Sequence, residues 1–527
     1  MIYTIPKILE KAALKYPKKD AYRYMSASLS YEDLYVKAKL LATLLLQLDV
    51  KKGDRVGIYM NRCLESFIAV YGITIAGGVF VPLDPTAPKE RTRFLINDCN
   101  ISHLLTVPSQ SRAIAALTEA PTQLKTIIGL EKELPIKTIA WSKVFERDIN
   151  QDVFPRILGK DLAYIMYTSG STGLPKGIMH THNSCIAYAK GSKDVYSINA
   201  SDIVASHAPL HFDISTFAYF TAPLAKATTV ILSDAHTKLP ASLSQLMEKE
   251  KISIWYSAPQ ALIQLLSKGL LEEKDLSSLR WVLFGGEVFP NKYLKPLIEL
   301  WSQAHFSNVY GPAEVNQCTY FNIDKNYTLQ KDLPLGVVWE NTDYRILDTN
   351  DKEVEKGESG VLAIRSETMM LGYWNNKELT EKSLYKELIL PDYDHVFFKT
   401  GDVVKENSNV DLVFIGRNDR QIKIRGYRVE LDEIEAQLLK HNNVREAVAY
   451  SEKNKTDSGD TITSVVLLHE IDTEDDEKVL KGHCFLHLPK YAIPEHIYIM
   501  KEFPRTTSDK VDRNKIKTKI AETYNGR

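Results

Sequence analysis

Short apolar runs alternate with amphipathic stretches along most of this chain. The runs at residues 55–60, 162–168, 229–232, 252–256, 281–284 and 306–310 read as buried strands. Stretches at 65–72, 241–249 and 291–301 carry apolar residues at helical spacing and read as helices. This alternation predicts an α/β fold with largely parallel sheets. Ile5, Ile8, Leu9 and Ala12 recur among Lys7, Glu10, Lys11 and Lys15, which predicts an amphipathic surface helix. The run 67–83 holds no charge, but Gly72, Gly77, Gly78 and Pro82 interrupt it. It therefore reads as a buried helix followed by a buried strand, not a membrane span.

The pattern changes near residues 416–420. Before that point lies a large β/α-alternating region, expected as an N-terminal domain over 1–415. After a hinge at 416–420, a compact α+β C-terminal domain is expected over 421–527. It opens with a strand at 421–425 and a helix whose start reads Asp432-Glu433-Ile434-Glu435, a carboxylate cap with a Glu three residues on. Strands at 447–451 and 464–468 follow, then a helix ending before Pro489, a loop at 504–513 and a last helix.

Composition narrows the function classes. Apolar residues make up 44% of the 527 and charged residues 25%, enough for a large core and against disorder. Lys plus Arg is 66 and Asp plus Glu is 67, so nothing in the balance calls for nucleic acid or an anionic membrane. Cys63, Cys99, Cys185, Cys318 and Cys484 are scattered and odd in number, which suits free thiols in the cytoplasm better than disulfides or zinc. His180 with His182, and His483 with His487, offer too few ligands for a zinc site.

The clearest chemistry lies in Tyr167-Thr168-Ser169-Gly170-Ser171-Thr172-Gly173-Leu174-Pro175-Lys176-Gly177. Glycines let backbone N–H groups turn toward an anion. Thr168, Ser169, Ser171 and Thr172 add hydroxyl donors, and Lys176 adds a point charge suited to a polyphosphate. The Walker spacing is absent. This segment resembles the signature loop of the adenylate-forming superfamily, which includes acyl-CoA synthetases, luciferases and nonribosomal adenylation domains. The resemblance covers nearly the whole chain. It continues in order through Leu29-Ser30-Tyr31-Glu32-Asp33-Leu34, the stretch from Ala76 to Pro85, Gly285-Gly286-Glu287, Tyr310-Gly311-Pro312-Ala313-Glu314, Lys399-Thr400-Gly401-Asp402, Gly416-Arg417 and Lys510-Val511-Asp512-Arg513.

The resemblance implies a large multi-sheet adenylation domain and a small mobile α+β domain, rotating about Asp419 between two half-reactions. It implies ATP and Mg2+ as cofactors. The nucleotide would meet the loop residues together with Gly286, Glu287, Tyr310, Gly311, Asp402 and Arg417, with Glu314 holding the metal. Lys510 resembles the lysine that bridges the substrate carboxylate and the α-phosphate. Residue 313 is Ala where the family usually has a Thr that contacts the α-phosphate; Thr168 is the loop hydroxyl that can compensate. Ser508-Asp509 replaces the usual Asn-Gly before the lysine, and Ser366 to Leu371 is atypical.

Asp213, in Phe212-Asp213-Ile214-Ser215, matches the acid that pairs with a substrate α-ammonium in amino-acid-activating members. By the same resemblance the substrate pocket is Asp213, Ile214, Phe217, Tyr256, Leu283, Gly285, Val309, Gln317, Cys318 and Lys510. It holds no second charge for a charged side chain, which implies a small neutral amino acid. The set resembles stand-alone prolyl-activating enzymes, which have Leu, Ala, Leu and Val where this chain has Ile214, Gly285, Val309 and Gln317. Proline is the first expectation, with alanine (including the D form), serine and threonine next. The amide of Gln317 could hydrogen-bond a polar substituent. No carrier or condensation domain is visible within these residues, so the expected acceptor is the phosphopantetheine thiol of a separate carrier protein. The enzyme is expected to be a monomer. The alternatives are an acyl- or aryl-CoA ligase and a degenerate nucleotide-binding homologue.

Overall fold

The computed structural model describes residues 1–149, 154–170, 173–324, 327, 333–453, 460–470, 476–506 and 511–524. The chain forms two compact units. The first comprises residues 1–85, 95–167 and 177–418; the second comprises 86–94, 168–176 and 419–527.

Two large sheets organise the first unit. One has eight strands, with Val79–Pro82, Arg55–Tyr59, His103–Thr106, Thr126–Ile128 and Lys137–Ile139 parallel in succession. The run 67–83 resolves into the helix Leu64–Ile75 and the strand Val79–Pro82, both buried. A Cβ at Gly72 would lie 2.5 Å from Leu41 Cδ2, so the glycine lets this helix approach the helix Tyr31–Gln47. The N-terminal helix is Ile5–Lys15, with Ile5, Ile8, Leu9 and Ala12 on its buried face.

The second large sheet has nine strands. Its centre is parallel: Ile203–Ser206, Ile254–Ser257, Trp281–Gly285 and His305–Tyr310. Thr319–Ile323 closes one side antiparallel. The central parallel strands are buried on both faces, which is why these segments read as continuous apolar runs. One face carries Trp255, Val282, Phe284 and Phe306 into a core with the helices Pro259–Lys268 and Asn291–Leu300. The other face carries Tyr256, Leu283 and Val309 into a separate core.

A third, five-stranded sheet is antiparallel throughout, built from Thr342–Leu347, Gly360–Ser366, Tyr393–Glu406, Leu384–Leu390 and Leu412–Arg417. The apolar pattern did not predict it. Leu388, Ile389 and Leu390 are three successive exposed apolar residues at its edge, so no period of two marks the strand.

The second unit holds the hairpin Gln421–Ile424 and Tyr427–Glu430, a three-stranded sheet and the helices Leu431–Leu438, Asp476–His487 and Arg513–Tyr524. Arg425 and Gly426 both have positive φ, the geometry of a tight two-residue hairpin turn. The expected carboxylate cap at Asp432 is corrected. The helix begins at Leu431 after Glu430, with no side-chain cap. Glu435 instead accepts hydrogen bonds from Ala449 N (2.7 Å), Arg420 Nη2 (2.6 Å) and Arg513 Nη2 (2.7 Å). Long-range partners outcompeted the local capping bond. Among the described residues no helix is long and apolar enough to cross a membrane.

Candidate functional site

Strand register gathers four of the expected pocket residues. Tyr256 lies opposite Leu283, and Gly285 opposite Val309. Register partners share a sheet face, as do residues two apart on one strand. Tyr256, Leu283, Gly285 and Val309 therefore lie on one face, together with Ser307 opposite Leu283 and Tyr320 opposite Val309. A Cβ at Gly285 would sit 2.1 Å from the Val309 carbonyl oxygen, so glycine allows this close strand contact without a shift. Phe217 reaches the same core from the turn Phe217–Thr221 and meets Tyr256 edge-on, with ring centroids 5.6 Å apart. Ile214 packs against that core as well. Cys318 does not: it is buried in a different core with Tyr310, Val315 and Leu362.

Asp213 begins the short turn Asp213–Ser215 beside this apolar face. Its Oδ1 accepts the N–H of Ile214 at 2.8 Å. It does not occupy the N-cap position, which belongs to Phe212. Its charge is felt by the face: burial, Tyr188 and Asp213 together hold the Tyr256 hydroxyl well above its usual range. Gln317 is buried and donates from Nε2 to the hydroxyl of Tyr196 at 2.7 Å. Sequence reasoning missed Tyr196 and Ser307, because residues 121 positions from Gln317 or on a neighbouring strand leave no local signal.

Three of the residues expected around the nucleotide, Tyr310, Asp402 and Arg417, form a hydrogen-bonded group within the first unit. Asp402 lies opposite Arg417 on adjacent strands. Arg417 Nη1 donates to Asp402 Oδ1 at 2.5 Å, and Tyr310 donates to Oδ2 at 2.6 Å. Burial first, then the Asp402 charge, keeps the Tyr310 proton in place. The carboxylate is thereby held in one orientation by two donors. Glu314 is fully buried and accepts from the Tyr373 hydroxyl at 2.7 Å. Gly286 has φ +94° and leads to Glu287. Tyr373 thereby orients the expected metal-holding acid.

The glycine-rich loop belongs to the second unit. Ser169 Oγ donates to the Arg428 carbonyl at 3.0 Å, and Gln437 Nε2 donates to the Gly173 carbonyl at 3.3 Å. Gly173 N closes the loop on the Gly170 carbonyl at 3.0 Å. Thr168 Oγ1 is buried with no hydrogen-bond partner among the described residues, as a hydroxyl suited to a ligand would be. Lys176 starts the next strand. Asp419 Oδ1 accepts from Gln421 N at 3.1 Å. Ser171, Thr172 and Lys510 lie outside the described residues, as do Ser508 and Asp509. The stem of the Lys510 loop is described: Asp512 N donates to the Pro504 carbonyl at 2.8 Å, and Arg505 bridges Val511.

His180 and His182 are core side chains. His180 Nε2 pairs with the Ala313 carbonyl at 2.9 Å and the ring stacks on Tyr164. His182 Nδ1 accepts from Ile5 N at 3.2 Å. Burial lowers both from 6.5 to about 4. The unfolded chain therefore takes up these protons first as pH falls below 6.5, whereas the folded chain resists until about 4. Stability should be flat above that window and fall within it, at up to about 2.7 kcal/mol per pH unit for two groups. Urea midpoints measured from pH 7.5 to 4.5 test this. An unchanged midpoint down to pH 5 would show that both imidazoles charge in place.

Comparison with known proteins follows the same lines. The AMP-binding enzyme family model matches residues 9–374, and the AMP-binding enzyme C-terminal domain matches 433–510. The L-proline–[L-prolyl-carrier protein] ligase of Streptomyces coelicolor is 30% identical over 504 residues, covering 93% of this chain and 92% of that protein. The ligase of the same name from Pseudomonas fluorescens is 29% identical over 506 residues, covering 95% and 96%. The amide bond synthetase McbA from Marinactinospora thermotolerans superposes with a TM-score of 0.87 at 22% identity, covering 98% of this chain and 99% of that one. This chain is an ATP-dependent ligase and belongs to the AMP-binding enzyme family of the adenylate-forming superfamily.

Proposed function

We propose that this ligase activates a small neutral amino acid as its aminoacyl-adenylate and then loads it onto a carrier protein. In the first half-reaction a carboxylate oxygen of the amino acid attacks the α-phosphorus of ATP, a new O–P bond forms, and pyrophosphate leaves. In the second, the phosphopantetheine thiolate of a separate carrier protein attacks the acyl carbon and AMP leaves. The observation that carries this reading is Asp213 beside the apolar face of Tyr256, Leu283 and Val309. A carboxylate bordering a dry wall suits a ligand that is cationic at one end and apolar at the other. Simple acyl or aryl acids bring no such cation.

The remaining residues take roles that follow from the family resemblance. The 168–176 loop and Lys510 meet the phosphates, Asp402 takes the ribose hydroxyls, and Arg417 and Tyr310 hold Asp402. Glu314 would hold Mg2+, and one buried carboxylate suits a cation bound mostly by phosphate oxygens and water. The cation supplies charge neutralisation to the polyphosphate. The hinge is assigned to Asp419, between a domain over 1–415 and one over 421–527. The relatives named as L-proline ligases support proline or a close analogue as a candidate. Alanine of either hand, serine and threonine fit the same neutral pocket.

Amino-acid-dependent ATP–pyrophosphate exchange tests the reading. A panel of the twenty L-amino acids, D-alanine and simple carboxylic acids should give signal with one small neutral amino acid or a few close analogues. Label from that amino acid should then pass to a phosphopantetheinylated carrier protein. Exchange only with simple carboxylic acids, or thioester formation only with CoA, would overturn it.

A further inference from the structure

We infer that the substrate side chain carries a hydroxyl group, read by a buried polar cluster of Gln317, Tyr196 and Ser307. The inference rests on the amino-acid reading above and narrows it. Gln317 is 2% exposed, and its Oε1 has no hydrogen-bond partner among the described residues. Its Nε2 is committed to the Tyr196 hydroxyl at 2.7 Å. Ser307 is fully buried, with its hydroxyl turned to that of Tyr196. Hydrogen bonding from Ser307 and Gln317 draws down the proton affinity of Tyr196 against its burial, so both side chains reach one hydroxyl. Tyr196 itself belongs to the core that holds Phe217, Tyr256, Leu283 and Val309. Ser307 lies on the same sheet face, opposite Leu283 and two residues from Val309.

Polar atoms left without partners in an apolar core, as Gln317 Oε1 is, are costly unless something meets them. A pocket meant for a hydrocarbon side chain has no use for them. A carboxamide oxygen only accepts, so the group that meets it must donate, as a substrate hydroxyl does. Threonine and serine present such a group. A ring-hydroxylated proline does too, while keeping the ring named in the relatives. Proline, alanine and valine would seal the cluster away from water without meeting it. Sites built to bond a substrate hydroxyl reject the analogue that lacks it far better than apolar sites sort methylenes.

The experiment compares matched pairs by pyrophosphate exchange on the full chain: threonine with valine, serine with alanine, 4-hydroxyproline with proline. The hydroxylated member of the active pair should have kcat/KM about 10- to 100-fold higher. Gln317→Leu should bring that ratio close to one. Tyr196→Phe, which leaves Gln317 in place but loosens it, should reduce the ratio less. Equal or better exchange with the apolar member, in the wild-type protein, overturns the inference while leaving amino-acid activation standing. A ratio unchanged in both variants overturns the role of the cluster. Exchange with simple carboxylic acids and no amino acid overturns the underlying reading and this inference with it.

Discussion

Replacing Lys510 with Ala should lower pyrophosphate exchange by about 10²- to 10³-fold, the cost of removing one fixed charge from a phosphoryl-transfer transition state. ATP affinity should change only a few-fold. The physical reason is the crowding of anions. A carboxylate approaching the α-phosphate needs no base, since it is already ionised, but it must enter a field of like charge. A cation held between the two relieves that repulsion most where the O–P bond forms, so its loss falls on kcat and not on binding. The flanking residues are tied by the Asp512–Pro504 backbone bond and by Arg513 on Glu435, so substitution of Lys510 should leave the unit folded. Lys510→Arg keeps the charge but changes its shape and reach, and should recover only part of the loss. Equal exchange in wild type and Lys510→Ala would remove Lys510 from the chemistry.

Some of this site was legible in the sequence for a physical reason. Gly285 stands where a Cβ would lie 2.1 Å from the Val309 carbonyl oxygen, so a small residue is favoured there. Asp402 and Arg417 pair because they face each other across adjacent strands, and both lie in short recognisable motifs. The strands of the parallel sheets were visible because burial on both faces writes an unbroken apolar run. The antiparallel sheet of residues 342–417 was not, since half-exposed strands there mix exposed Leu388 and Leu390 with buried Phe397 and Phe398. Side-chain partners were the least legible. Glu435 reads as a local capping acid, yet it serves Arg420, Ala449 and Arg513. Tyr196 reads as one aromatic among many, yet it holds Gln317. Both depend on chain segments brought together only by the fold.

Asp213→Asn should cost about 30- to 1,000-fold in kcat/KM for the amino acid, expressed chiefly as a raised KM. The estimate takes the ~3–5 kcal/mol for breaking a buried ion pair and discounts it because Asp213 is only half buried. The substitution keeps size and shape, and its carbonyl oxygen can still accept the N–H of Ile214, so the turn should survive. What it removes is charge. In water that charge would matter little to an ammonium at the same distance, but Tyr256, Leu283 and Val309 are buried beside it. Low local polarity strengthens the attraction. The decisive comparison pairs the amino acid with its des-amino acid, identical except for the ammonium. The wild-type protein should prefer the amino acid strongly; the variant should show a preference near one, with ATP binding intact. If both substrates lose activity together, Asp213 shapes the turn and does not read the ammonium. If the preference persists in the variant, another group supplies the countercharge, and the amino-acid reading would have to rest on that group instead.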